Sequence, residues 1–192
     1  MNEHQTRLPT RRTADLRKGR TSLAGARYFI TICAQRPERR LVLPATAEAV
    51  SGILARIEKD GDATFLASTI MPNHLHLLAL LTGRLTLSRV VGKLKALTEP
   101  VLRVEGPRWQ ENFFEHRLQP EDRASDYARY IFLNPYRAGL IRRNDEWPWW
   151  RRSPEHGFDF LSMLDDGRFP PVEWLQMDDE ALGVMPETAG ND

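Results

Sequence analysis

The chain has 192 residues, of which 41% are hydrophobic and 28% are charged, a composition typical of one globular domain with a buried core. Its single cysteine, Cys33, excludes an intramolecular disulfide framework and a multi-cysteine zinc site. No apolar run approaches the length of a membrane span, and no apolar signal segment follows the arginine-rich N-terminus, which predicts a cytoplasmic protein without membrane contact.

The net charge of +1 conceals a strong asymmetry along the chain. Residues 1–40 contain ten Lys and Arg against three Asp and Glu, whereas residues 155–192 contain one Arg against ten acidic residues. Arginine makes forked contacts to phosphate and stacks on bases, so we expect the N-terminal segment to contact nucleic acid. A solvated arginine-rich tail is the alternative.

Hydrophobic periodicity predicts an alternation of strands and helices. In chain order, we expect a strand over 27–34, a helix over 46–59 with Thr46 as its N-cap, strands over 63–71 and 74–81, a helix opening at 86–88, a strand over 112–118 and a helix over 121–133. Pro100 is expected to end or kink the second helix, and Pro135 to disfavour helix beyond Asn134.

The order β-α-β-β-α-β followed by a helix predicts an α+β fold of the ferredoxin-like type, an antiparallel sheet with two helices on one face. The third strand is expected to be central. Residues 26–153 would form this domain, between a basic N-terminal arm over 1–25 and an acidic C-terminal extension over 154–192.

His74 and His76 are the only strongly polar side chains in the predicted third strand. Because strand side chains alternate, the two imidazoles should lie on one face while Leu75 and Leu77 point to the other. Neutral imidazole is a common ligand for divalent cations and needs convergent neighbours. The pair therefore indicates a metal site, with two hydrogen-bonded structural histidines as the alternative.

The last predicted helix places Tyr130 and Asn134 four residues apart on one side, with Tyr127 three residues before Tyr130. Packing this side onto the sheet would bring a phenol and a carboxamide towards the histidines. Two imidazoles and an amide oxygen suit Mg²⁺ or Mn²⁺ and leave positions open, so that the phenol can attack a phosphodiester. Taken singly, Tyr130 is also typical of a half-buried helix tyrosine, and Asn134 of a helix cap.

Four blocks then occur in order: MPNHLHLL at 71–78, WQ at 109–110 with FFEH at 113–116, YIFLNPYRAGL at 130–140, and EWPW at 146–149. Together they resemble the REP-associated tyrosine transposases, a branch of the single-tyrosine HUH nucleases of IS200/IS605-like insertion sequences. The resemblance runs from about residue 28 to residue 150.

The resemblance implies a metal-dependent transposase and endonuclease that binds hairpin-forming palindromic repeats and cuts and rejoins single-stranded DNA through a covalent 5′-phosphotyrosine. His74, His76 and Asn134 would be ligands of Mg²⁺ or Mn²⁺, and Tyr130 the nucleophile, in a monomer or homodimer. His116 and Tyr127 are candidate accessory groups. The expected DNA contacts are Arg11, Arg12, Arg17, Lys18, Arg20, Arg36, Arg39, Arg40 and, by stacking on an unpaired base, Trp109. A core or lid position is the alternative for Trp109.

Two departures from the family pattern bear on the site. The wider insertion-sequence group has glutamine where this chain has Asn134, one methylene shorter, so its distance to a metal depends on how closely the helix approaches. WRR at 150–152 stands where small hydroxyl residues are expected, and the acidic extension has no counterpart in the family. Charge complementarity predicts that this extension occupies the DNA groove when DNA is absent.

Two other functions stay open. A domesticated DNA-hairpin-binding protein would keep the fold without cleavage, although it would not need the complete set of His74, His76, Tyr130 and Asn134. A metal-dependent hydrolase of RNA or small phosphodiesters would form no covalent intermediate.

Overall fold

The computed structural model describes residues 22–35, 41–105 and 107–184. Five strands, three α-helices and two short 3₁₀ helices make up this part of the chain. They are β1 (Arg27–Cys33), α1 (Pro44–Lys59), β2 (Ala63–Ile70), β3 (His74–Leu81), α2 (Leu87–Glu105), β4 (Phe114–Arg117), α3 (Ala124–Arg137), β5 (Trp150–Arg152) and the 3₁₀ helices Asp159–Met163 and Val172–Gln176.

The five strands form one sheet in the order β4-β1-β3-β2-β5, and neighbouring strands are antiparallel. The predicted ferredoxin-like α+β fold is confirmed, with β3 at the centre between β1 and β2. β5 was not predicted. It is three residues long and pairs with the outer edge of β2, too short for its alternation to be recognised in the sequence.

The two faces of the sheet are covered by different elements. On one face, α1 and α2 enclose a core that includes Leu75 and Leu77 of β3. On the other, α3 and residues from the C-terminal extension enclose a second core that includes Leu78. Because side chains alternate along β3, His74 and His76 lie on the face that α3 covers, as the sequence predicts.

The start of α1 differs from the prediction. The helix begins at Pro44, where a missing N–H costs nothing because the first turn leaves its N–H groups unpaired. Leu43 occupies the N-cap position and makes no side-chain capping bond. Thr46 is therefore inside the helix and fully buried, and its hydroxyl has no hydrogen-bond partner among the described residues. The prediction that Thr46 caps this helix is wrong.

Neither proline ends its helix. α2 continues past Pro100 to Glu105. α3 begins at Ala124 and continues through Pro135 to Arg137, and the backbone N–H of Ala138 donates to the Asn134 carbonyl at 3.0 Å. Pro135 is buried with the last turn of α3, so packing compensates for the hydrogen bond that it cannot donate. The prediction that helix is disfavoured beyond Asn134 is wrong, and Asn134 is an interior helix residue.

The C-terminal extension packs against α3. Phe158, Phe160, Trp174 and Leu182 are buried in the second core together with α3 residues. Over the three described ranges, no helix is long and apolar enough to cross a membrane. The domain limits at 25/26 and 153/154 stay predictions.

Candidate active site

Three side chains converge where β3 meets α3. The Nε2 atoms of His74 and His76 lie 3.0 Å apart, and the Nδ2 atom of Asn134 lies 3.1 Å from Nε2 of His76. The strand period places the two imidazoles on one face, and the docking of α3 brings the amide to them. The sequence predicts this group of residues, and the structure brings it together.

The far side of each imidazole is also hydrogen-bonded. Nδ1 of His74 lies 2.7 Å from Oδ1 of Asn73, and Nδ1 of His76 lies 2.9 Å from Oγ1 of Thr31. The Phe29 ring stacks on the His76 ring at a centroid distance of 5.4 Å. These contacts orient both rings so that their Nε2 atoms point towards one another, as second partners commonly do for metal-binding histidines.

Burial keeps both imidazoles neutral. Burial lowers the pKa of His74 from its ordinary 6.5 to about 4. His76 is 2% exposed, and burial, together with the neighbouring His74, holds its pKa well below the ordinary value. Because the neutral imidazole is the form that binds metal ions, neither ring has to lose a net proton near pH 7.

The donor set fits a divalent cation. Two ligands in adjacent positions, about 2.1 Å from an octahedral ion, are about 3.0 Å apart, and the two Nε2 atoms have this separation. Turning the Asn134 amide by 180° exchanges its nitrogen for its oxygen at the same place, which gives a third ligand. In the described part of the chain, no group of three His, Cys, Asp or Glu side chains could hold a metal ion. A metal centre at the histidine pair therefore depends on the amide of Asn134.

Tyr130 lies beside this group. Its ring is 5.6 Å from the His76 ring and 5.7 Å from the Phe29 ring, both in edge-to-face geometry. The guanidinium carbon of Arg137 lies 5.7 Å from the Tyr130 ring centroid, and Arg137 itself donates to Asp179 at 2.9 Å. Tyr130 is half-buried, so part of its side chain is accessible to solvent while its ring packs against Phe29 and His76.

Tyr127 lies in a different environment. It is fully buried, its hydroxyl lies 3.4 Å from Oδ1 of Asp122, and its ring stacks on His116 at 5.5 Å. His116 contacts Oδ2 of Asp122 at 2.8 Å. Burial tends to raise the pKa of Asp122, but hydrogen bonds from the Gln119 N–H and from His116 outweigh it and lower the pKa. Tyr127 and His116 therefore connect α3 to β4.

The predicted DNA contacts separate into two groups. Trp109 is 6% exposed, and its Nε1 donates to Oγ1 of Thr98 at 2.9 Å inside the first core. Its ring is thus not available to stack on a base, and the core alternative holds. The predicted cationic contacts lie outside the described residues: Arg11, Arg12, Arg17, Lys18, Arg20, Arg36, Arg39 and Arg40.

Thr31 and Arg137 were not predicted at the site. Thr31 belongs to a β-branched run that indicates a strand and nothing more, because its position opposite His76 depends on the pairing of β1 with β3. Arg137 is seven residues after Tyr130 on the same helix, a spacing that places both on one side once the helix is known to pass Pro135. Because the sequence predicts no helix beyond Asn134, it does not predict that Arg137 lies beside Tyr130.

Comparisons with known proteins agree with this fold. The family model described as "Transposase IS200 like" matches residues 23–122, which include the histidine pair and end before α3. Among curated proteins, no sequence matches the chain.

The solved structure of a REP-associated tyrosine transposase bound to a REP hairpin is similar in fold, with a TM-score of 0.59, 20% identity, and coverage of 68% of this chain and 79% of that chain. A protein of Deinococcus radiodurans R1 assigned as a transposase gives a TM-score of 0.43 and 18% identity over 54% of this chain and 86% of that one. Since the family model covers residues 23–122, more than half of the 192, the chain belongs to the IS200-like transposase family.

Proposed function

We propose that this transposase is a single-tyrosine endonuclease and strand transferase that acts on hairpin-forming single-stranded DNA with Mg²⁺ or Mn²⁺. The observation that carries the proposal is the convergence of four side chains. The Nε2 atoms of the two neutral imidazoles are 3.0 Å apart, and the amide nitrogen of Asn134 is 3.1 Å from Nε2 of His76. The centre of the Tyr130 ring is 5.6 Å from that of the His76 ring. Together they provide a ligand set and a nucleophile on rigid elements.

In the proposed reaction, Oη of Tyr130 attacks the phosphorus of a DNA phosphodiester. The P–O bond to the 3′ oxygen breaks, the DNA 5′ end becomes attached to Tyr130, and the leaving oxygen takes up a proton to become a 3′-hydroxyl. The phenol gives up its own proton in the same step. Rejoining is the reverse, with a DNA 3′-hydroxyl attacking the phosphotyrosine.

Each residue has a separate part in this step. His74, His76 and Asn134 would hold the cation, which when bound polarises the phosphate and lowers the energy of the developing charge. Phe29 contacts both the His76 and Tyr130 rings and so sets the distance between ligand and nucleophile. The Arg137 guanidinium beside Tyr130 adds positive charge near the attacked phosphate.

Hairpin DNA is the proposed substrate because one protein of similar fold is described as bound to a REP hairpin. The basic arm over residues 1–25 and the arginines at 36–40 supply the charge that a folded DNA stem requires. We assign the hairpin stem to these segments and the single strand beside it to the histidine–tyrosine site.

Transfer of label from DNA to protein tests the proposal. Single-stranded DNA that carries the palindromes flanking the gene is labelled on the 5′-phosphate side of its expected cleavage site and incubated with the full-length protein and Mn²⁺. We expect a covalent adduct on denaturing gels with the wild type and its loss in Tyr130→Phe and His76→Ala. The matched control is Tyr127→Phe, three residues away on the same helix, which should keep the adduct because its hydroxyl faces Asp122.

The alternatives give different patterns. An adduct that survives Tyr130→Phe and is lost in Tyr127→Phe would assign the nucleophile to Tyr127. Cleavage without any adduct in the wild type would indicate a hydrolase. Hairpin binding without cleavage or adduct would leave a DNA-binding protein that has lost its nuclease activity.

A further inference from the structure

His76 is the middle residue of a row that crosses the whole sheet. The strand pairings place one residue of each strand beside the next, and the row reads Phe114, Thr31, His76, Thr69 and Trp150. Cross-strand neighbours share a face, so two threonines flank the imidazole of His76 on the side that α3 covers.

The two threonines differ in what their hydroxyls contact. Oγ1 of Thr31 lies 2.9 Å from Nδ1 of His76, in a contact that is fully buried. Thr69 is also fully buried, but its hydroxyl has no hydrogen-bond partner among the described residues. The same residue type thus flanks His76 on both sides, with a hydrogen bond to the ring on one side only.

The hydrogen bonds around His74 and His76 indicate what the Thr31 hydroxyl contributes to the site. Asn73 contacts Nδ1 of His74 through Oδ1, which can only accept, so neutral His74 carries its hydrogen on Nδ1 and a lone pair on Nε2. With its hydrogen on Nε2, His76 donates to His74 across the 3.0 Å contact, and the Thr31 hydroxyl donates to Nδ1. With its hydrogen on Nδ1, His76 accepts at Nε2 from Nδ2 of Asn134 at 3.1 Å, and Oγ1 of Thr31 accepts from Nδ1. A cation held by the pair requires the second arrangement.

When Nε2 of His76 binds a cation, the single ring hydrogen must be on Nδ1, and Oγ1 of Thr31 then accepts from it. Both arrangements leave one hydrogen on the ring, so the proton count is the same with and without the cation. A hydroxyl can donate to Nδ1 when the ring hydrogen is on Nε2, and it can accept from Nδ1 when the hydrogen is there. A carbonyl could only accept and an N–H could only donate, so either would fit one arrangement only. The Thr31 contact therefore persists in both states.

We infer that Thr31 is a positioning residue of the metal centre, which orients His76 and allows it to present an unprotonated Nε2 to the ion. The inference rests on the proposed function, because it assumes that the ion binds at the histidine pair. It adds a hydrogen-bonding residue of β1 to a metal centre whose proposed ligands come from β3 and α3. It also predicts that a hydroxyl, rather than a side chain of the same volume, is needed at position 31.

Metal binding by the full-length protein tests the inference. Free Mn²⁺ is measured by electron paramagnetic resonance during titration of the wild type, Thr31→Val, Thr31→Ser and Thr69→Val. We expect Thr31→Val to weaken Mn²⁺ binding about 10- to 100-fold, the range typical of lost second partners of metal-binding histidines. Thr31→Ser should restore most of the affinity. Thr69→Val, the matched control on the other side of His76, should leave it unchanged.

A second measurement needs no variant. Long-range ¹H–¹⁵N spectra of the imidazoles report which ring nitrogen carries the hydrogen, and in the presence of saturating Mg²⁺ the His76 hydrogen should be on Nδ1. An ion bound through Nδ1 of His76 would overturn the inference, even if Thr31→Val did not fold.

The outcomes separate this inference from the proposed function. If the wild type and His76→Ala bind Mn²⁺ equally, there is no metal centre at the pair and both fail. If His76→Ala loses binding while Thr31→Val binds as the wild type does, the metal centre stands and the role of Thr31 is wrong. Equal losses in Thr31→Val and Thr69→Val would also overturn it, because the effect would then come from packing.

Discussion

At the scale of single residues, burial determines the chemistry of His74 and His76. The protonated imidazolium is costly to place in a site that water hardly reaches, and burial accordingly lowers the pKa of His74 from 6.5 to about 4. The same cause lowers that of His76 well below its ordinary value. Both rings are thus in the metal-binding form near pH 7 without help from a neighbouring carboxylate.

This burial predicts how the stability of the metal-free protein depends on pH. Unfolded histidine takes up a proton near pH 6.5, whereas His74 in the folded protein does so only near 4. Between these values the unfolded state binds more protons, so the free energy of unfolding should fall as pH is lowered. Each histidine contributes a slope of at most about 1.4 kcal/mol per pH unit.

Urea denaturation between pH 7.5 and 4.5, with a chelator present, measures this slope. His76→Gln should reduce it, because one of the two buried imidazoles is removed. An unchanged slope in that variant would show that other groups cause the pH dependence.

Asn134 permits a second prediction at this scale. Asn134→Ala should weaken Mn²⁺ binding without unfolding the protein, because alanine is favourable within α3 and the amide is the proposed third ligand. Asn134→Asp should keep Mn²⁺ binding, since it replaces an amide oxygen with a charged oxygen of the same length. Calorimetric titration of the two variants distinguishes them, and equal affinities would remove Asn134 from the ligand set.

At the scale of elements, the position of α3 on the sheet decides whether the site forms. β3 supplies the histidines and α3 supplies Tyr130 and Asn134, so a small shift of the helix would separate the proposed nucleophile from the two histidines. Near its start, Asp122 accepts hydrogen bonds from the Gln119 N–H and from His116 of β4. Near its end, Arg137 is paired with Asp179. Contacts at both ends thus hold α3 in place.

We therefore predict that Asp122→Ala lowers the free energy of unfolding by about 1.5–3 kcal/mol, because charge-assisted hydrogen bonds of this kind have that value. The control is Asp159→Ala, which removes an ion pair with Arg123 that is more than half exposed and should cost less than about 1 kcal/mol. Urea denaturation of both variants makes the comparison. Similar losses would mean that Asp122 does not anchor the helix.

At the scale of the whole molecule, the C-terminal extension contributes buried side chains to the second core. Phe158, Phe160 and Trp174 complete the core on the α3 side of the sheet, and the guanidinium of Arg129 lies 5.3 Å from the Trp174 ring centroid. Deleting residues 160–192 would therefore remove core side chains along with acidic charge. To test whether the acidic extension occupies the DNA groove, acidic side chains must therefore be neutralised by substitution, which leaves the core intact.

Asp165 offers such a substitution, since it is half-exposed and paired with Arg143. If the acidic extension competes with DNA, Asp165→Asn should raise the affinity for hairpin DNA, most strongly at low salt. Fluorescence anisotropy at two salt concentrations measures this. An unchanged affinity would count against competition at this position.

The contribution of the extension to stability gives a further prediction. Trp174→Ala should lower the free energy of unfolding by about 3–5 kcal/mol, the usual cost of removing a buried aromatic side chain, because Trp174 is 4% exposed. Val172→Ala, two residues earlier and 54% exposed, should change it by less than about 0.5 kcal/mol. Chemical denaturation measures both, and a stable Trp174→Ala protein would show that the extension contributes little to the fold.

The sequence by itself determined the features that depend on local spacing. The order of strands and helices follows from hydrophobic periodicity, the shared face of His74 and His76 from the strand period, and the pairing of Tyr130 with Asn134 from the helix period. These are properties of short segments, which can be read from the spacing of residues within each segment.

Only the tertiary structure decided which residues from different segments meet. The register of β1 against β3 places Thr31 beside His76, and the packed last turn of α3 carries the helix past Pro135 despite the lost hydrogen bond. Docking of α3 also separates Tyr130, beside the histidines, from Tyr127, which the sequence places on the same side of the helix. Register and docking arise from packing between distant segments, so local periodicity carries no information about them.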